Sequence, residues 1–152
     1  MSLRDTLMED VKRAMKGGEK TKLSTIRMIQ AALKDKDIEA RGLGKGQLTD
    51  DDIMSLMQKM VKQRQESIAI YTQAGRGELA AGEQAEVEVI NHYLPRQMDE
   101  AAIKAAIAES IAETGAASMK DMGKVVAALK AKFAGQMDFT KASQLVKAAL
   151  GG

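Results

Sequence analysis

The chain has 152 residues, 45% hydrophobic but only 3% aromatic, with 23 Lys+Arg against 21 Asp+Glu for a formal net charge of +2. The lack of cysteine excludes thiol catalysis, disulfides, thiolate zinc sites and iron–sulfur clusters, and a lone histidine, His92, leaves at most one imidazole for acid–base work. With no tryptophan, two tyrosines and two phenylalanines, a stacking platform for bases is not expected, and one proline in a chain rich in Ala, Leu, Ile, Val and Met points to an all-α fold.

Seven helices are expected. Ser2 with Asp5 three residues on is a capping-box start, and Leu3, Leu7, Val11 and Ala14 recur at helical spacing until Gly17-Gly18. A second helix from about Lys20 carries Leu23, Ile26, Ile29 and Leu33 and runs out before Gly42. The glycines of Gly42-Leu43-Gly44-Lys45-Gly46 mark a flexible loop; no strand precedes them and no Gly-Lys-Ser/Thr follows, so they are not a phosphate-cradling motif. Thr49 and the run Asp50-Asp51-Asp52 open a third helix, where carboxylates suit the positive end of the dipole better than they suit a metal site. Its face of Ile53, Leu56, Met57, Met60, Val61, Ile68 and Tyr71 reaches to near Gly75. The fourth helix runs from about Glu78 to Leu94, with Leu79, Val87, Ile90, Tyr93 and Leu94 on its stripe, and Pro95 stops it.

Two residue groups breach this pattern. Arg64 falls inside the apolar stripe of the third helix, while Glu83 and Glu86 fall inside that of the fourth. Arg64 is expected to form a structural ion pair with Glu86 or Glu83 where the helices pack; the alternative is a packed stem with the guanidinium reaching water.

After Pro95 the elements shorten. Asp99 caps a helix bearing Ile103, Ile107 and Ile111 and closed by Gly115. Ser118 with Asp121 is a further capping box, opening a helix with Met122, Val125, Val126, Leu129 and Phe133 that ends at Gly135. Asp138 caps the last helix, with Phe139, Ala142, Leu145, Val146, Ala149 and Leu150. The expected organisation is a four-helix N-terminal domain over residues 1–94 and a three-helix tail domain over residues 95–152 with a small core of its own.

Charge divides unevenly. Residues 1–94 carry fifteen basic and fifteen acidic side chains, whereas residues 118–152 carry Lys120, Lys124, Lys130, Lys132, Lys141 and Lys147 against Asp121 and Asp138. Each of those lysines could neutralise a phosphate and release counterions; the plain alternative is a solvated face opposite an apolar one. No chemistry of catalysis is apparent: Ser24, Ser67, Ser110 and Ser143 lie mid-helix without a histidine partner, and His92 lies off its helix's stripe. No catalytic residue, cofactor or metal site is expected, and the methionines are read mostly as packing. No apolar run approaches the roughly 20 residues of a membrane span. The start Met1-Ser2-Leu3-Arg4-Asp5 has no signal-peptide character, so a cytoplasmic location is expected.

The segment Gly115-Ala116-Ala117-Ser118-Met119-Lys120-Asp121-Met122-Gly123-Lys124-Val125-Val126 resembles the signature of the YqeY family. Leu23-Ser24-Thr25-Ile26-Arg27, Lys62-Gln63-Arg64-Gln65-Glu66-Ser67-Ile68 and Tyr93-Leu94-Pro95-Arg96-Gln97 are also similar to that family's pattern, so the resemblance spans essentially the whole chain. The family shares its helical region and tail with GatB, a component of the glutamine-dependent tRNA amidotransferase, a carbon–nitrogen ligase; the GatB tail helps hold tRNA carrying misattached Glu or Asp. The resemblance implies four helices followed by a three-helix tail. It also implies tRNA contact by Gly123, Lys124, Lys130 and Lys132, which match the tail's Gly-Gln/Lys-Val…Lys pattern. Two departures stand out: Gly135-Gln136-Met137-Asp138-Phe139 replaces the frequent Gly-Arg-Ala-Asp-Gly, and the ligase's catalytic part has no counterpart. The expected function is a non-catalytic helical module that binds tRNA or a tRNA-handling enzyme, through lysines rather than aromatics. A protein–protein adaptor presenting a helical groove without RNA is the alternative, and an accessory component of an amidotransferase is the third reading. Neither DNA nor membrane is expected as a partner.

Overall fold

The computed structural model describes residues 2–151, so Met1 and Gly152, the outer ends of the two expected domains, lie outside the described residues. Among the described residues the chain is all-α, with seven α-helices, one short 3-10 turn and no strand. The helices are α1 Leu3–Gly17, α2 Lys20–Gly42, α3 Asp50–Gln73, α4 Gly77–Asn91, α5 Glu100–Thr114, α6 Met122–Phe133 and α7 Phe139–Gly151; the 3-10 turn is Met119–Asp121.

Helix starts follow local side-chain chemistry. At α3 the capping box is complete, with the Asp52 N–H donating to Thr49 Oγ1 (3.2 Å) and the Thr49 N–H donating to Asp52 Oδ2 (3.0 Å). At α5 the Ala102 N–H donates to Asp99 Oδ1 at 2.8 Å. At α1 the Ser2 hydroxyl accepts from the Asp5 N–H and itself donates to the Asp5 carboxylate. Gly18 (φ 67°) and Gly115 (φ 68°) end α1 and α5 in the left-handed region, where a side chain would be strained.

Three boundaries differ from the sequence reading. Helix α2 includes Gly42, and the N–H groups of Leu43, Gly44 and Lys45 fold back onto α2 carbonyls, so the glycine segment is a helix cap. Helix α4 ends at Asn91 instead of Leu94. Tyr93 and Leu94 donate to Ile90 and Asn91 in tighter, three-residue turns, and the residue ahead of Pro95 is sterically kept from helical geometry. At α6 the Ser118 side chain makes no capping bond. Asp121 instead turns back to accept the Ala117 N–H at 3.0 Å, and the 3-10 turn leads into the helix.

The helices group into two compact units, one ending at Leu94 and the other starting at Pro95. In the first, α1 packs on α2, α3 packs on α4, and α2 also touches α4. Their shared core holds Leu7, Ile26, Ile29, Ile53, Met57 and Ile90, all essentially solvent-free. Two polar ties secure this unit. Arg4 grips Asp37 with both guanidinium nitrogens (2.8 and 2.6 Å) while the Leu48 N–H donates to the same carboxylate, which pins the loop end to α1 and α2. The Arg4 hydrogen bond holds the Asp37 carboxyl below the usual range, against an opposing effect of burial. In the second tie, the hydroxyl of the buried Tyr93 donates to Asp10 Oδ2 at 2.5 Å; burial first, then this carboxylate, push the phenol well above its ordinary value. In the second unit, α5, α6 and α7 surround Ile103, Ile107, Val125, Leu129, Met137, Ala142 and Val146.

Candidate nucleic-acid interface

The tail core decides which way the lysines face. Val125 and Leu129 of α6 and Ala142 and Val146 of α7 are buried, with Met122, Val126, Phe133, Phe139, Leu145 and Leu150 packed partly against the same core, so the arcs opposite them meet solvent. Lys120, Lys124, Lys130, Lys132, Lys141 and Lys147 are all exposed, as is Gly123. The loop between the helices belongs to the core. Met137 is 2% exposed, Gln136 O accepts the Met98 N–H at 2.8 Å, and Gly135 O accepts from Gln97 Nε2 at 2.6 Å. Gln136 thus serves to close the unit through its backbone.

The six lysines are not equivalent. Lys132 is bonded to Glu113 of α5, a contact that raises the lysine's pKa and cancels its charge toward a ligand. Lys130 Nζ stands 6.0 Å from the centre of the Phe139 ring. Lys120, Lys124, Lys141 and Lys147 make no ion pair among the described residues.

Their placement also separates them. The Met119 side chain lies against Gly151, 3.4 Å from where a side chain there would begin, so the 3-10 turn sits by the end of α7. Lys120, Gly123 and Lys124 therefore share one end of the α6–α7 pair with the last turns of α7, which carry Lys147. Lys130, Lys132 and Lys141 belong to the other end. Space around Gly123 is open, with no atom within 4 Å of an added Cβ, so packing does not demand glycine there. Asp121, beside Lys124, has its carboxyl held down chiefly by the Ala117 N–H, opposed by burial and aided by the Ser118 N–H and Lys124.

In the first unit Arg64 Nε donates to Glu86 Oε2 at 3.0 Å and Nη1 donates to Met60 O at 3.1 Å. The side chains are 13% and 25% exposed, which makes this a packed joint between α3 and α4. Glu83, the other candidate partner, makes no ion pair among the described residues and lines an open cleft of about 340 Å³ with Thr21, Ser24 and Tyr71. None of these side chains forms a nucleophile–base pair: Ser24 Oγ donates to Thr21 O, Ser67 Oγ to Gln63 O, and Ser110 is buried. His92 is exposed, edge-on to Tyr93. Among the described residues no group of three or more His, Asp or Glu is arranged around a metal position, and no helix is long and apolar enough to cross a membrane.

Sequence reasoning missed both partners of buried polar ties, Asp10 for Tyr93 and Asp37 for Arg4. Asp10 had a signal, since it falls on the inward arc of α1 beside Leu3, Leu7 and Ala14. Of the methionines, Met57, Met60 and Met137 are buried and Met54, Met98 and Met122 pack against the cores, whereas Met8, Met15, Met28 and Met119 are exposed, the first two by 56%.

The family model described as Yqey-like protein matches residues 4–150. Altered inheritance of mitochondria protein 41, mitochondrial, from Eremothecium gossypii is 34% identical over 123 residues, 81% of this chain and 62% of the relative. The protein of the same name from Pyrenophora tritici-repentis is 33% identical over 133 residues, 83% of this chain and 70% of the relative. The match thus spans less than two thirds of the first relative's length. Both relatives are mitochondrial by name, which overturns the expected cytoplasmic location. The physical reason is that a cysteine-free helical chain carries no chemical mark of its compartment.

Proposed function

The chain belongs to the YqeY-like family, and on that premise we propose that it is a non-catalytic module whose three-helix tail folds as a domain of its own and binds tRNA or a tRNA-handling enzyme. The observation that supports RNA contact is the state of the tail lysines. Lys120, Lys124, Lys141 and Lys147 are exposed and make no ion pair among the described residues, although Asp121 stands beside Lys124, and Gly123 opens the backbone beside Lys120 and Lys124 within the segment that carries the family resemblance. Lysine heads on flexible stems recognise phosphates by charge, and a bare glycine lets a sugar–phosphate strand approach the start of α6 closely. With the aromatics Tyr93 and Phe139 committed to packing, shape and backbone contact are the available mode.

Filter binding of total tRNA to the full chain between 50 and 200 mM salt tests this. Saturable binding at 50 mM that weakens steeply with salt is expected; no binding at 50 mM would refute it. The second reading is an adaptor that offers apolar surface to another protein, favoured by Ile70 (65% exposed) and Leu79 (38%) on the α3–α4 pair. Recovery of a stoichiometric protein partner without RNA would replace the first reading with the second.

A further inference from the structure

The even charge of the first unit conceals a concentrated basic stretch. Between Val11 and Met28 there are six basic residues, Lys12, Arg13, Lys16, Lys20, Lys22 and Arg27, against one acid, Glu19. At about 100° per residue, Met8, Lys12, Met15 and Lys16 share one arc of α1, and Lys20, Arg27 and Lys34 recur at seven-residue steps along one line of α2. All seven are exposed. The two arcs adjoin, because Arg27 Nη2 rests 3.6 Å from the sulfur of Met15 across the seam of the helices.

The cations on this face are uncompensated. Arg4, Arg13, Lys36, Arg64 and Arg76 each meet a carboxylate, whereas Lys12, Lys16, Lys20, Arg27 and Lys34 of this face, like Lys22, Lys45 and Lys59 of the same unit, make no ion pair among the described residues. Helices α1, α3, α4 and α5 have an acid in the first turn; α2, like α6 and α7, has none there and begins with Lys20 directly after its N-cap Glu19.

We infer that the outer face of α1 and α2 is a second anion-binding surface, built for an RNA phosphate backbone and carried by Lys12, Lys16, Lys20, Arg27 and Lys34. Spaced point charges on long stems, outnumbering the one acid of the stretch, Glu19, match a line of phosphates. A membrane surface fits less well, since among the described residues the large exposed apolar groups on the face are Met8, Met15 and Ile38, with no aromatic to anchor them. This inference rests on the RNA-binding reading and extends it from the tail to the first unit.

The test uses the full chain, total tRNA, and two variants. The front variant is Lys12→Gln, Lys16→Gln, Lys20→Gln, Arg27→Gln and Lys34→Gln; the tail variant is Lys120→Gln, Lys124→Gln, Lys141→Gln and Lys147→Gln. Each phosphate contact contributes roughly 0.7–0.9 to the slope of log affinity against log salt. The front variant is expected to bind at least tenfold more weakly at 100 mM salt, with a shallower slope. In the unmodified chain, tRNA is expected to shield Lys12, Lys16, Lys20 and Lys34 from amine acetylation, read by mass spectrometry, which needs no variant to fold. A front variant with unchanged affinity beside a weakened tail variant overturns this inference and leaves the tail reading standing. Absence of tRNA binding by the unmodified chain overturns both. Equal or tighter shielding by polyglutamate or by anionic phospholipid vesicles overturns the assignment to RNA.

Discussion

Replacing Leu129 by alanine tests whether the tail is a folding unit of its own. Leu129 is fully buried on α6, among Ile103, Ile107, Val125, Ala142 and Val146. Truncating such a side chain removes its transfer free energy and leaves a cavity, at a cost of about 2–5 kcal/mol. If the unit Pro95–Gly152 folds by itself it holds roughly 3–9 kcal/mol at about 0.05–0.15 kcal/mol per residue, so Leu129→Ala consumes a large share of it or all of it. Hydrogen–deuterium exchange on the full chain reads this by region. Amides of α5, α6 and α7 are expected to exchange about thirty- to several-thousand-fold faster, while those of α1 to α4 change less than twofold. Equal acceleration in both units would mean one cooperative structure and would refute the two-domain proposal.

Other predictions follow from the polar ties and the glycine at α6. Tyr93→Phe removes the hydroxyl bonded to Asp10 and is expected to cost about 1–2 kcal/mol in urea unfolding at pH 7. Because the phenol is raised in the fold, its contribution is complete below about pH 10, where unfolded tyrosine begins to ionise, and is lost above it; stability curves of the two proteins should converge from pH 10 upward, and parallel curves would contradict the assignment. Asp37 has the opposite sign: its carboxyl is lowered, so its contribution is present above about pH 4 and is lost as pH falls, and Asp37→Asn should flatten the acid limb of the stability profile. Gly123→Ala should raise stability by about 0.5–1 kcal/mol, since the site is helical and open, yet weaken tRNA binding; a stabilised variant with undiminished binding would remove Gly123 from the interface.

What was readable in the sequence was chiefly local. Thr49 and Asp99 announce helix starts because capping depends on residues within one turn, and Gly115 announces a stop because its left-handed backbone suits glycine. The breach of pattern at Arg64 and Glu86 was visible on a helical wheel, and their 3.0 Å contact joins the two breached stripes. What was hidden depends on tertiary neighbours. The end of α4 is set by turns that follow Asn91, in a segment where Tyr93 reaches Asp10 on the far end of the unit's sequence. The loss of Lys132 to Glu113 comes from the packing of α5 on α6, which charge counting over the last two helices cannot register. Counting over the whole first unit likewise averaged away the basic face of α1 and α2. A window of one helical hairpin would have exposed it.

The proposed function rests most directly on what the tail touches in cells. Ultraviolet crosslinking of the full chain, with recovery of both crosslinked nucleic acid and bound protein, reads this in one measurement. The expected result is tRNA attached to peptides from α6 and α7, around Lys120, Lys124, Lys141 and Lys147. Recovery of a stoichiometric protein partner that survives ribonuclease, with no RNA on those peptides, would contradict it.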